Sequence, residues 1–244
     1  TVIALGIGLM WFFNTRESLP LVTEYITGYG QLKIIVLPDS SKLVLNAHSS
    51  IKIPQHWNNE GDRQVWLEGE AYFEVEKKMA APQKFIVHTA QVDVEVLGTK
   101  FNVNTRRSES IVALEEGKVQ LFIKEKGIKI LEKKTNPSVI LKPGELAKID
   151  STLSVHVSDE SNIDHYSGWV KNEYHFDDTP LGEVSKMIED IYGYKMIAAD
   201  STLLNRSISG DLRAANIDDF VKVLQATLNL KMNIEGKAII ITKP

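Results

Sequence analysis

Residues 91–103 read Gln91-Val92-Asp93-Val94-Glu95-Val96-Leu97-Gly98-Thr99-Lys100-Phe101-Asn102-Val103. Val92, Val94 and Val96 point one way, while Gln91, Asp93 and Glu95 point the other. Successive side chains leave a strand on opposite faces, so this period of two marks a strand with one buried side. Gly98 interrupts the run as a bulge or turn, and Thr99 is a good β-former. The same texture extends from Gly28 to Val157. Short alternating runs are separated by turn residues and helical periodicity is weak, which predicts about a dozen strands before residue 158.

Working outward, Leu37-Pro38-Asp39-Ser40-Ser41 is a turn before a strand. Proline presets φ there, and aspartate favours a local bond from its side chain to the backbone. In Gly69-Glu70-Ala71-Tyr72-Phe73-Glu74-Val75, Glu70, Tyr72 and Glu74 share one strand face and Phe73 and Val75 the other. Residues 111–115 and 119–123 flank Glu116-Gly117-Lys118, which predicts a hairpin. Lys142-Pro143-Gly144-Glu145 is a further turn, ahead of a run over 146–149.

The pattern changes after Ser158. Residues 158–162 are polar and read as a linker. Beyond Trp169, strands alternate with helices. Tyr174, His175 and Phe176 form a short strand. Thr179 is the expected N-cap of a helix with Pro180 at its first position. Leu181, Val184, Ile188 and Ile191 recur at helical spacing, and Gly193 is the expected stop. A strand over 194–197 follows. The order then repeats: a strand from Arg206, a helix capped by Asn216 with Ile217, Phe220, Val221, Leu224 and Leu228 on one face, and a closing hairpin around Glu235-Gly236-Lys237. The fold class is therefore mainly β. An all-β domain of many short strands, residues 15–160, precedes a small α/β (βαβ-βαββ) domain, residues 169–244. Residues 1–13 are apolar apart from Thr1 and two glycines, and the run ends at Asn14. It falls short of the roughly 30 Å hydrocarbon core. Residues 1–14 are therefore expected to be part of a transmembrane segment.

The 244 residues carry a net charge of -4 and a pI near 5.9, so no basic footprint points to nucleic acid. Cysteine is absent, which excludes disulfides and thiolate metal sites. His48, His56, His88, His156, His165 and His175 show no metal-binding spacing, although His165 and His175 can approach each other at the domain junction. No metal or cofactor is expected. Nucleophile elbows and phosphate loops are lacking, so an enzyme is not expected either.

Three blocks, Leu37-Pro38-Asp39, Gly69-Glu70-Ala71-Tyr72-Phe73 and Leu97-Gly98-Thr99-Lys100-Phe101-Asn102-Val103, occur in the order found in the FecR family of transmembrane anti-sigma regulators. Together with Glu116-Gly117-Lys118-Val119 and Lys142-Pro143-Gly144, the chain resembles the periplasmic region of that family. Its last domain resembles the secretin/TonB short N-terminal fold. The family usually has glycine where Ser40 stands. The resemblance implies a single-pass inner-membrane protein with residues after about 15 in the periplasm. The implied partners are the N-terminal signalling domain of an outer-membrane TonB-dependent transducer and an extracytoplasmic-function sigma factor. The latter would be held by a cytoplasmic region absent from this chain. Periplasmic and intramembrane proteases complete the implied set.

Some members of the family are cleaved between the residues equivalent to Gly98 and Thr99, by attack of the threonine hydroxyl on the preceding carbonyl. This makes Gly98 and Thr99 the one candidate reactive pair. For partner binding, the exposed strand edges are the candidates: Tyr174, His175 and Phe176 on one, and Arg206, Ser207, Ile208, Ser209, Gly210, Asp211, Leu212 and Arg213 on the other. The alternative is a periplasmic structural or glycan-binding β-protein, with Trp57, Trp66, Trp169 and the tyrosines as a sugar platform.

Overall fold

The structure, a computed structural model, describes residues 21–57, 61–78, 83–124 and 138–244. The apolar segment 1–14 lies outside the described residues. Among those described, no helix is long and apolar enough to cross a membrane.

Two seven-stranded sheets form the first half of the molecule. In spatial order, one contains β1 (Val22–Ile26), β4 (Ser50–Pro54), β5 (Arg63–Glu68), β7 (Phe85–His88), β8 (Val92–Val96), β11 (Val119–Ile123) and β12 (Ser138–Leu141). The other contains β14 (Val155–Asp159), β13 (Glu145–Ile149), β10 (Ser110–Glu116), β9 (Lys100–Asn104), β6 (Glu70–Glu74), β3 (Lys42–Leu45) and β2 (Lys33–Val36). Within these two sheets, among the described residues, only β5 and β7 pair in parallel. The alternating apolar residues meet between the sheets. Phe73 stacks on Phe101 at 5.0 Å and meets Phe85 edge-on at 6.0 Å, amid Val65, Val87, Val94, Leu114 and Leu121.

The chain makes a hairpin in one sheet and then crosses to the other. Gly69, the pair Gly98-Thr99, the pair Gly117-Lys118 and Pro143-Gly144 all sit at such crossings. This corrects the hairpin expected at Glu116-Gly117-Lys118. Both edges of β10 are already paired, with β9 and β13, whereas β11 pairs with β8 and β12. The two strands instead face each other across the core through Val112, Leu114, Val119 and Leu121. Gly117 has φ +96°, and a Cβ there would lie 2.6 Å from the Gly98 carbonyl oxygen, so only glycine fits this corner.

The turn at Asp39 forms as expected: its Oδ1 accepts the Ser41 N–H at 3.0 Å and its Oδ2 the Ser41 hydroxyl at 2.8 Å. Ser40 adopts φ +73°, the left-handed conformation for which glycine is best suited. The sequence did not reveal Arg63. Its buried guanidinium pairs with Asp39 at 2.5 Å and donates to the carbonyls of Glu76 and Gln83.

Residues 158–162 are not the open linker the polar sequence suggested. Ser158 and Asp159 belong to β14, opposite Leu146 and Glu145, and the Glu160 N–H donates to the Gly144 carbonyl. A 3₁₀ turn, Ile163–Tyr166, then seats Ile163 on Ala113 and Leu146. Short polar residues satisfy an edge strand as well as a loop.

The second half holds β15 (Glu173–Pro180), α1 (Leu181–Tyr192), β16 (Lys195–Ala198), β17 (Ser207–Arg213), α2 (Ile217–Leu228), β18 (Lys231–Glu235) and β19 (Ala238–Thr242). β15 pairs with β17, and the order β16-β19-β18 makes a second sheet. Phe220 lies fully buried between Tyr174, Phe176 and Tyr192. Asn216 caps α2, accepting the Asp219 N–H at 2.9 Å, and Gly193 ends α1 at φ +72°. Thr179 is not the cap of α1. Pro180 keeps its predecessor extended, so β15 runs on to the proline. The Leu181 N–H donates to the Arg206 carbonyl at 2.7 Å, so a first orphan donor is satisfied by the neighbouring chain.

Candidate functional site

The outer face of β3, β6 and β9 carries Val44, Glu70, Tyr72, Asn102 and Asn104. In an isolated sandwich these would face water. Here Ala47 and Tyr72 are buried in the same apolar cluster as Trp169 and Tyr174, with Val44 packed against it. The C-terminal domain sits on this face.

Around that small apolar seat the contacts are polar. Glu70 is buried; Asn46 Nδ2 donates to its Oε2 at 2.7 Å and Asn102 Nδ2 to its Oε1 at 2.9 Å. Arg106 Nε lies 3.9 Å from Glu70 Oε2, too far for a hydrogen bond but close enough for strong charge interaction. Loss of water raises the Glu70 pKa, and Arg106, Asn102 and Asn46 oppose that rise. Beyond β6, the Tyr72 hydroxyl donates to Glu115 Oε2 at 2.7 Å, and Ser167 donates to the other oxygen of Glu115.

The last turn of a helix leaves carbonyls without intrahelical partners and carries partial negative charge. At α1 the sandwich supplies the missing donors. Arg106 Nη1 donates to the Asp190 carbonyl at 2.9 Å and the Gly30 N–H to the Ile191 carbonyl at 2.7 Å, while Arg107 Nη2 reaches the Lys186 carbonyl one turn earlier at 3.1 Å. Arg107 also pairs with the carboxylates of Glu189 and Asp190 at 2.9 Å each. Arg106 reaches back to the Ala47 carbonyl at 2.5 Å, so one side chain ties both halves. The turn that presents the two arginines holds Arg107 at φ +56° and Ser108 at φ +59°. Backbone strain of this kind is retained where surrounding contacts over-determine it.

The sequence-predicted residues fall elsewhere. The Gly98-Thr99 corner is packed against Lys77 and Gly117. The Thr99 hydroxyl donates to the Lys118 carbonyl at 3.2 Å, and its amide and carbonyl exchange bonds with Val75. A carbonyl cannot take the proton that nucleophilic attack must release. The two candidate docking strands are brought together: Tyr174 opposes Leu212, His175 opposes Asp211 and Phe176 opposes Gly210. Tyr174, Phe176, Ile208 and Leu212 face the core, whereas His175, Ser207, Ser209, Asp211 and Arg213 face out. Arg206 precedes β17, and its carbonyl is the acceptor for Leu181. Among the described residues, β15 and β17 pair only with each other, so each keeps an open outer edge. Trp57 packs edge-on against Phe85 in the sandwich, Trp169 is buried in the other core, and Trp66 stacks on His88, so the three do not form one platform.

The FecR protein family model matches residues 23–120, and the FecR C-terminal model matches residues 173–241. The chain belongs to the FecR family. As a FecR-family protein it is a signalling regulator of the anti-sigma class. The two models fall on either side of the α1 junction, with Glu70 and Arg106 in the first and the helix they hold in the second. Two crystal structures of a candidate anti-sigma factor from Parabacteroides distasonis, at 2.50 and 1.65 Å resolution, share the fold. Each has a TM-score of 0.73 and 24% identity; the alignments cover 92% and 91% of this chain and 100% and 99% of theirs. No curated protein matches the chain.

Sequence reasoning missed the junction. Glu70, Asn102 and Asn104 sit on the outward phase of their strands, and Asn46 follows β3 directly; that phase normally means solvent. The available signal was the pair Arg106-Arg107 just after a strand whose outward side chains beyond Lys100 are the amides Asn102 and Asn104.

Proposed function

We propose that this chain is the signal-receiving part of an inner-membrane anti-sigma regulator, with residues after about 15 in the periplasm. The C-terminal domain would receive the N-terminal signalling domain of an outer-membrane TonB-dependent transducer. A cytoplasmic region outside this chain would hold the sigma factor, and periplasmic and intramembrane proteases would release it. Family membership supports the regulatory class, and the apolar run at residues 1–13 supports the membrane placement.

The observation that carries the relay is the capping of the α1 C-terminus by the other domain, through Arg106 and the Gly30 N–H, with Arg107 paired to the Glu189 and Asp190 carboxylates. A receiver transmits only if binding favours one arrangement of its parts over another. Bonds to a helix end are well suited to this, because water can replace them when the helix moves. The open edges of β15 and β17 supply a docking mode, strand addition, that leaves the α1 junction free to respond.

The test is calorimetric binding of the chain to the isolated signalling domain of a TonB-dependent transducer from the same organism. Ser209→Pro removes a backbone donor from β17, but it also removes the hydroxyl that accepts the Asp178 N–H at 2.9 Å. Ser209→Ala loses only that hydroxyl. Strand addition at β17 predicts that the proline variant binds weakly while the alanine variant binds like the parent. Equal binding by both, with the fold intact, rules this edge out.

A further inference from the structure

We infer that His165, His175 and Asp211 form a binding site for a first-row divalent transition metal, of which Zn²⁺ is the natural probe. The three residues come from three different elements. His165 stands on the 3₁₀ turn that leads out of the sandwich, His175 on β15 and Asp211 on β17. Their spacing along the chain carries no metal signature, and the expectation from sequence was that no metal binds; only the fold assembles them.

The geometry is specific. One ligand atom from each residue lies within 4.8 Å of the other two. The imidazoles stack with centroids 3.6 Å apart and planes 23° apart. His175 Nδ1 sits 2.7 Å from Asp211 Oδ1, its directly opposed partner across the strand pair. Tetrahedral zinc with bonds of about 2.0–2.1 Å needs ligand atoms roughly 3.3 Å apart, so small side-chain rotations close the site. All three residues are exposed, which leaves room for those rotations and for a water as fourth ligand.

The donor set selects the metal. Two imidazoles and one carboxylate suit Zn²⁺, Ni²⁺ or Cu²⁺, whereas Ca²⁺ and Mg²⁺ require oxygen ligands throughout. The surroundings favour a cation. Glu160, Asp164, Glu173 and Asp177 line the two clefts that meet at the histidines; Lys171 and Arg213 are the opposing charges, and Arg213 is engaged by Glu173. Placement gives the site a consequence. A bound ion would tie the connecting turn to both strands of the β15–β17 sheet, fixing that sheet relative to the sandwich.

The test uses the whole chain after chelator treatment, titrated with Zn²⁺ alone. One equivalent should bind. The variants His165→Ala and His175→Ala should each weaken binding at least tenfold, and Asp211→Asn about tenfold, while His156→Ala, on the exposed face of β14, should match the parent. Circular dichroism checks that each variant folds. As an independent readout, Zn²⁺ should shift the imidazole resonances of His165 and His175 and leave those of His156 in place. Absence of stoichiometric binding, or binding unchanged in the His165→Ala/His175→Ala double variant, overturns the site. Unchanged binding by Asp211→Asn overturns the three-ligand assignment.

Discussion

Replacing Arg106 with alanine should cost more than replacing any other surface-adjacent arginine of the junction, and the reason can be worked through. The side chains of Arg106 and Glu70 are only 10% and 9% exposed. The substitution removes donors from the Ala47 and Asp190 carbonyls and leaves Glu70 buried without its cation. Removing one partner of a buried pair typically costs about 3–5 kcal/mol, and that is the expected loss. Arg107 is the internal comparison. Its pairs with Glu189 and Asp190 are 23–40% exposed. Exposed pairs contribute about 1 kcal/mol or less, so Arg107→Ala should be mild. Urea unfolding followed by circular dichroism and by tryptophan fluorescence measures both, Trp169 being buried in the C-terminal core beside the junction. The charge argument also requires coupling. Glu70→Gln in the Arg106→Ala background should recover about 1–3 kcal/mol, because the orphaned charge is gone. A loss below about 1 kcal/mol for Arg106→Ala, additive with Glu70→Gln, would refute the buried-pair account.

Further expectations follow from single residues. The folded-state pKa of Glu70 lies above its ordinary 4.5, so the folded protein takes up a proton there before the unfolded chain does. Its stabilising effect is complete below 4.5 and is lost as pH rises through the folded value. Lowering pH from about 7 should therefore favour the parent over Glu70→Gln in matched urea melts, and a pH-independent difference would contradict this. Gly117→Ala forces a Cβ at φ +96° to within 2.6 Å of the Gly98 oxygen and 3.1 Å of the Thr99 Cα. It should cost at least about 2 kcal/mol by thermal melting, and a neutral result would mean the corner relaxes freely. With its hydroxyl held by the Lys118 carbonyl, Thr99 should leave the chain whole, so intact-mass spectrometry of fresh protein should show one species. A fragment beginning at Thr99 would show that the corner is reactive after all.

Local features of the fold were legible where local physics decides them. The valine alternation over 92–96 gave β8, and the helical spacing of Ile217, Phe220, Val221, Leu224 and Leu228 gave the buried face of α2. Asn216 and Gly193 marked helix ends because capping needs only neighbours. Turn chemistry alone does not say where the chain goes next. Gly117 and Gly144 have the positive φ of hairpin glycines, yet both carry the chain between facing sheets. That outcome depends on which edges are already occupied, a non-local matter. The cap expected at Thr179 failed for the same kind of reason, since the Arg206 carbonyl, distant in sequence, does the job. Glu70 illustrates the limit most clearly. Its outward phase was correct, but the surface it faces belongs to a helix more than a hundred residues further on.

The most direct test of the relay is the distance between the two domains with and without partner. The chain has no cysteine, so spin labels can be placed at Glu68→Cys on the sandwich and Ala226→Cys on α2, both exposed. Pulsed electron paramagnetic resonance on the chain alone should give one narrow distance distribution, set by the Arg106 and Arg107 contacts to α1. Saturating it with the transducer's signalling domain should shift or broaden that distribution, and Arg106→Ala should move it the same way without partner. A distribution unchanged by a signalling domain shown to be bound would contradict the claim that the junction carries the signal.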